Sequence, residues 1–152
     1  MSMDFSKIPI TDLIPQRSSF VMVDKVLSCD MTDAITEFVV REDNIFVDNK
    51  SLAPTGIIEN IAQSCAARMG CINMQQNESV KLGFIGDIRN CHIMRRPLCQ
   101  EKMTTYVNIV EDIFNLTLAN VTVKVEDEVI ATARIKIALT DMSASDLTKS
   151  DS

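Results

Sequence analysis

The chain carries one histidine in 152 residues and no Cys-x-x-Cys pair. A Cys/His zinc site needs several such ligands at close spacing, so no metal is expected, and no other cofactor is implied. A Ser/His/Asp triad would have to be built on His92 alone. No Gly-rich phosphate loop occurs. No run approaches the ~20 apolar residues of a membrane span, and Met1 to Ile10 carries Asp4 without a long apolar core, unlike a signal peptide. Positive charge is not in excess. With 15 Lys and Arg against 21 Asp and Glu, the net charge of -6 argues against a nucleic-acid surface. The five cysteines, Cys29, Cys65, Cys71, Cys91 and Cys99, are odd in number. They read as reduced, mostly buried thiols of a cytoplasmic protein.

The apolar content, 46%, suffices for one real core, and the length fits one domain over residues 1–140. The Ser-, Thr-, Asp- and Lys-rich segment 141–152 reads as a disordered tail. Residues 1–12 read as a short capping segment. Phe20 to Leu27 and Ile35 to Val40 read as strands, 41–53 as a loop, and 73–79 as a polar connection. Four further strands are predicted: Lys81 to Met94, Lys102 to Val110, Leu116 to Val125 and Val129 to Leu139. Short connections suggest that these four pair in chain order as an antiparallel meander. In the last, Val129, Ala131, Ala133, Ile135, Ile137 and Leu139 share one face. In the strand before it, the apolar phase slips between Leu116/Leu118 and Val121/Val123/Val125, which predicts a β-bulge near Ala119-Asn120.

Between the two groups of strands runs Pro54 to Gly70, a helix that is apolar around most of its circumference. Thr55 suits its N-cap and Gly70 its end. Such a helix must be buried, and a sheet wrapped around it is the simple solution. A single layer would leave part of the helix uncovered, which predicts at least a dimer. At ~100° per residue, Ile57, Ile58, Ile61, Ala62, Cys65 and Met69 form one broad face, assigned to the sheet. Gly56, Glu59, Gln63, Ala66, Ala67 and Gly70 form a second lane. Its sizeable side chains are Glu59 and Gln63, neighbours at i and i+4 that can hydrogen-bond. Small residues there admit a close approach by a partner subunit or a narrow substrate chain. A carboxylate on a buried helix must be paired, hydrogen-bonded or protonated. On helix physics alone, Glu59 is as well explained by a solvated or Arg-paired edge as by chemistry.

Three blocks resemble the hotdog-fold 3-hydroxyacyl-[acyl-carrier-protein] dehydratases. Leu13 to Val26 is similar to the family's opening LPHRxPFLLVDRV. Gly56 to Gln63 is similar to the central-helix pattern G…IEAMAQ, with Ile58-Glu59-Asn60-Ile61-Ala62-Gln63 aligned directly. Phe84 to Leu98 is similar to the strand that ends in FRRPV. The Leu52-Ala53-Pro54-Thr55-Gly56 and Gly83-Phe84-Ile85-Gly86 steps also resemble a divergent branch of aryl-polyene and related pigment pathways. The resemblance implies an α+β hotdog fold, with an antiparallel sheet wrapped around one long central helix. It also implies at least a dimer acting on an acyl thioester of acyl carrier protein or coenzyme A. In that family a His before the helix takes the α-proton and a helix carboxylate protonates the departing 3-hydroxyl. A glycine amide at the helix start polarises the thioester carbonyl. The resemblance places Glu59 and Gln63 as catalytic candidates and Gly56 and Ile57 at the substrate.

The chain departs from the family where the first His belongs. In place of GHFPG stands Ile45-Phe46-Val47-Asp48-Asn49-Lys50, and the opening block has Gln16 for the other family His. Asp48 and His92 are the candidate second groups, His92 more simply read as a surface or interface side chain. Four readings stay open: a dehydratase with an unorthodox second group, a thioesterase in which Glu59 alone works under the amides near Gly56, a non-catalytic acyl-binding subunit, and a structural dimerisation domain. The partner subunit is an identical chain or a different hotdog chain that supplies the missing His.

Overall fold

Residues 3–76, 81–113 and 115–143 are described in the computed structural model. The strands are β1 (Lys25–Cys29), β2 (Asp33–Val39), the two-residue β3 (Val47–Asp48) and β4 (Ser51–Leu52). The helix α1 (Pro54–Gln75) follows, then β5 (Lys81–Ile93), β6 (Lys102–Ile113), β7 (Leu116–Val125) and β8 (Glu128–Ser143). Six strands form one antiparallel sheet in the order β1-β2-β6-β7-β8-β5, and β3 and β4 pair as a hairpin inside the segment read as loop. The α+β class and the helix-on-sheet layering match the sequence reading.

The pairing of β5 does not. β6, β7 and β8 do form a meander, but β5 pairs with β8 at the far end of the sheet, and β6 pairs with β2 instead. The connection 94–101 carries the chain across the sheet end. Arg95 fastens it, reaching Glu101 at 2.8 Å and Glu128 at the start of β8 at 2.9 Å.

The first strand also starts later than predicted, at Lys25. The backbone of Phe20 and Met22 is bonded to side chains of α1, not to a neighbouring strand. The helix runs past Gly70 to Gln75, with Ala53 in place of Thr55 at its N-cap position and Pro54 at its first turn, where a missing N–H costs nothing. Gly70 lies in its interior for a packing reason: a Cβ there would sit 2.1 Å from the Leu13 carbonyl oxygen. The connection expected over 73–79 therefore begins later, and its residues 77–79 lie outside the described ones. At the other end β8 continues to Ser143, and of the expected tail residues 144–152 lie outside the described ones.

Two phase readings change as well. In β7 the residues Thr117, Ala119, Val121, Val123 and Val125 are buried without interruption, so no bulge occurs at Ala119-Asn120. The irregularity is on β6, between Ile109 and Glu111, and Leu116 and Leu118 lie on the outer face of the sheet. In β8 a register shift opposite Val123/Lys124 turns Ile130 inward and Val129 outward. Ala131, Ala133, Ile135 and Ile137 keep the predicted buried face.

The main core lies between this inner face and α1, with Ile57 and Ile61 fully buried among Phe38, Met103, Val121, Val123 and Ile135. Each such side chain contributes about 1.5–3 kcal/mol. A second cluster joins the N-terminal segment, through Phe5, Leu13 and Ile14, to Val26 of β1 and to Ala67 and Cys71 of α1. Among the described residues no helix is long and apolar enough to cross a membrane.

Candidate active site

The helix is set on the sheet by polar bonds as much as by apolar contact. Thr105 of β6 donates to Asn60 Oδ1 at 2.7 Å. The Ser64 hydroxyl donates to the Asn60 carbonyl at 2.7 Å, which leaves Thr36 of β2 as the donor in its 2.7 Å bond to Ser64 Oγ. Asn60, Ser64 and both threonines are fully buried. With their hydrogen-bonding capacity met inside the protein, these side chains can face the sheet at little cost.

That choice rotates the helix by about 80° from the phase that hydrophobicity suggests. Ile58, Ala62 and Met69, assigned to the sheet by the sequence reading, point away from it and are only half-buried. With Thr55, Glu59 and Ala66 they make a stripe about 100° wide that the subunit itself leaves partly uncovered. The lane of small residues beside it is filled by the chain's own segments. Leu13 packs on Gly70, and Leu52 and Phe46 pack on Gly56, where a Cβ would meet each at 2.7 Å.

Glu59 stands at the border between stripe and lane. Gln63, fully buried, donates to Glu59 Oε1 at 2.9 Å and to the Phe20 carbonyl at 2.7 Å, and accepts the Met22 amide at 2.6 Å. Asn60 Nδ2 donates to the Met22 carbonyl at 2.7 Å. Both polar backbone groups of Met22 thus end on α1 side chains. The structure brings Glu59 and Gln63 together as the sequence suggests. Sequence reasoning misses the roles of Asn60 and of the Phe20–Met22 backbone, because their partners are distant along the chain. The one signal is that the opening block and the helix block match the same family.

The other candidates are placed apart from Glu59 in role. The amides of Gly56 and Ile57 both donate to the Ala53 carbonyl, at 2.9 and 3.2 Å, and the Ile57 side chain lies in the main core. Asp48 is exposed and paired with Arg96, whose guanidinium also donates to the Leu52 carbonyl at 2.9 Å. His92 is exposed, pairs in register with Thr132, and lines a shallow depression of about 260 Å³ with Asn120, Thr122 and Arg134. That is the face of the sheet turned away from α1. Arg68, a basic side chain on the same helix, does not pair with Glu59. It is buried elsewhere, donating to the Met31 carbonyl at 2.9 Å and lying 3.8 Å from Asp112. Among the described residues no group of three or more His, Cys, Asp and Glu could hold a metal ion.

No curated protein sequence matches the chain. Solved structures do. One is the dehydratase heterocomplex ApeI:P from Xenorhabdus doucetiae, with a TM-score of 0.83 at 15% identity over 93% of this chain and 96% of that one. The uncharacterized protein PH1136 from Pyrococcus horikoshii matches with a TM-score of 0.67 at 17% identity, covering 91% of this chain and 99% of that one. A hypothetical thioesterase with coenzyme A from Streptococcus pneumoniae TIGR4 gives 0.64 at 8% identity, over 78% and 87%. These likenesses establish the hotdog fold. The model of the ApeP-like family, described as ApeP dehydratase, matches residues 8–149, and the chain belongs to that family.

Proposed function

We propose that this chain acts on acyl thioesters of an acyl carrier protein or coenzyme A as a dehydratase subunit, with Glu59 as the acid and with the base supplied by a second hotdog chain. The observation that carries the reading is the setting of Glu59. It is a half-buried carboxylate, oriented by Gln63, on the border of an apolar helix stripe that its own subunit leaves partly uncovered. In this mechanism the Glu59 carboxyl gives its proton to the departing 3-hydroxyl while a base on the opposite side of the substrate removes the α-proton. General acid–base work of this kind is worth about 10²–10⁴-fold. The thioester carbonyl would share the Gly56 amide with Ala53 in a three-centre bond, a form common at helix ends.

A base from outside the chain is favoured because His92 lies on the outer face and Asp48 is engaged by Arg96. Ile58, Ala62, Ala66 and Met69 offer an apolar surface for the partner, and β5 lies at the end of the sheet, where a further strand can add. The similar structure from Xenorhabdus doucetiae is a heterocomplex, which supports a non-identical partner.

The test is dehydration of a 3-hydroxyacyl-coenzyme A or 3-hydroxyacyl-carrier-protein thioester, followed by enoyl-thioester absorbance, by the chain alone and with a His-bearing hotdog chain. Turnover by the mixture that neither chain shows alone, abolished by Glu59→Gln, supports the proposal. Release of free thiol by the chain alone, with no enoyl product, would replace it with a Glu59 thioesterase.

A further inference from the structure

Two cysteines far apart in sequence lie in one cluster at the end of α1 remote from Glu59. Cys29 closes β1 and is half-exposed, and Cys71 lies one turn beyond Arg68 and is fully buried. Both belong to the cluster that joins the N-terminal segment to the helix. The Cys29 thiol reaches the carbonyl of Arg68, one helical turn before Cys71, at 3.7 Å. Their surroundings distinguish the two thiols. Cys29 is held below the usual thiol range, first by hydrogen bonding with the Cys71 thiol and then by the nearby Arg68 guanidinium, against the opposing effects of burial and Asp30. Cys71 is pushed well above it, by the same bond and by burial. The remaining thiols lack this arrangement. Cys65 is sealed in the core and pushed up to about 12 by burial, and Cys91 and Cys99 lie outside the cluster.

We propose that Cys29 and Cys71 form a redox-active dithiol, with Cys29 as the attacking sulfur and Cys71 as the resolving one, closed to a disulfide by a peroxide-class oxidant. The Cys29 thiolate attacks one oxygen of hydrogen peroxide, the O–O bond breaks, and the departing hydroxide takes up the thiol proton as water, leaving a sulfenic acid. The Cys71 sulfur then attacks the Cys29 sulfur and the S–O bond breaks. Hydroxide leaves with the Cys71 proton as a second water. Two thiols are oxidised and one peroxide is reduced. Partial exposure lets a small oxidant reach Cys29, whereas Cys71 waits inside, in the same cluster. The bond would tie β1 to α1 and restrict the unfolded chain.

The experiment is graded hydrogen peroxide treatment of the intact protein, followed by alkylation, intact-mass measurement and non-reducing peptide mapping. The expected result is loss of two hydrogens per chain, a linked peptide joining Cys29 and Cys71, full reversal by dithiothreitol, and an upward shift of Tm in the oxidised form. In Cys71→Ala the Cys29 sulfenic acid should persist and be trapped by dimedone. Wild-type protein in which both thiols still alkylate after oxidation, or in which Cys91 alone is modified, would overturn the proposal without reliance on any variant. None of these readouts depends on catalysis at Glu59.

Discussion

Gln63 accepts the Met22 amide at 2.6 Å, and this bond ties the segment before β1 to the helix instead of to a strand. The same side chain holds Phe20 and Glu59. Gln63→Ala would orphan the Met22 N–H and the Phe20 carbonyl and release the carboxylate. Leaving a buried group unsatisfied costs about 1–3 kcal/mol. A lower urea midpoint is therefore expected together with a loss of turnover, and the loss should persist at temperatures where the variant is fully folded. Unchanged turnover in folded Gln63→Ala would remove Gln63 from the positioning of Glu59.

Glu59→Gln keeps the shape and the partner of the side chain but removes its proton chemistry. Turnover should fall by about 10²–10⁴-fold, while circular dichroism, Tm and association with a partner chain stay near wild type, because the exchanged group lies outside the packed core. Full turnover in this variant would remove Glu59 from the chemistry.

His92→Ala separates one of the two candidate second groups from the proposed external base. His92 is exposed on the outer face beside Thr132, and surface substitutions of this kind stay within about 0.5 kcal/mol. Turnover is expected within about twofold of wild type, since a factor of ten needs about 1.36 kcal/mol. Steady-state assay of the complex decides this. A loss approaching that of Glu59→Gln would make His92 a working base after all.

Much of the fold can be read from the residues because local pattern and tertiary demand agree in the long elements. The period-two burial of Ala131 to Ile137 and the existence of one long, largely apolar helix are such cases. The errors fall where the deciding partner is remote. Asn60 and Ser64 look like polar surface until Thr105 and Thr36 are known to face them, and this is why hydrophobicity alone misplaces the helix phase. Leu116 and Leu118 suggest a bulge in β7 because nothing local reveals that both are placed on the outer face. The position of β5 beside β8 depends on which edge the chain crosses to, which no strand pattern records. For the site, the i, i+4 pair Glu59 and Gln63 is visible as spacing, whereas the backbone of Phe20 and Met22 that clamps Gln63 has no side-chain signature.

Acid should weaken the fold through carboxylates whose charged form the structure favours. The Arg95 guanidinium, followed by the Leu98 amide, holds the Glu101 carboxyl below its ordinary value, burial opposing. The Thr32 and Asp33 amides do the same for Asp30, with help from the Thr32 hydroxyl. Both folded-state values are depressed, so the stabilisation is complete above the unfolded carboxylate range, about pH 4, and is lost as pH falls below it through the folded values. The urea midpoint should accordingly stay flat from neutral pH to about 5 and then decline. In Glu101→Gln the decline should be shallower and the neutral-pH midpoint lower, because Arg95 then loses one of the two carboxylates that pin the 94–101 connection. A decline of equal steepness in the variant would show that the Arg95–Glu101 pair is not among the groups that set acid stability.

Gly70→Ala tests the reading of that glycine as a packing residue. The helix continues through it to Gln75, so an alanine there should help the helix by about 1 kcal/mol if local propensity ruled. The Leu13 carbonyl oxygen at 2.1 Å from the added carbon, with the Leu13 carbonyl carbon at 2.8 Å, is backbone and cannot swing aside as a side-chain end could. Overpacking of this kind costs about 1–3 kcal/mol or more, so the packing term wins and the variant should be destabilised. Displacement of the Leu13–Ile14 segment should also loosen the cluster with Phe5, Val26 and Cys71, which hydrogen exchange of the helix C-terminal half would report as faster opening. A Tm equal to or above wild type would mean that the N-terminal segment does not press on α1 at this point.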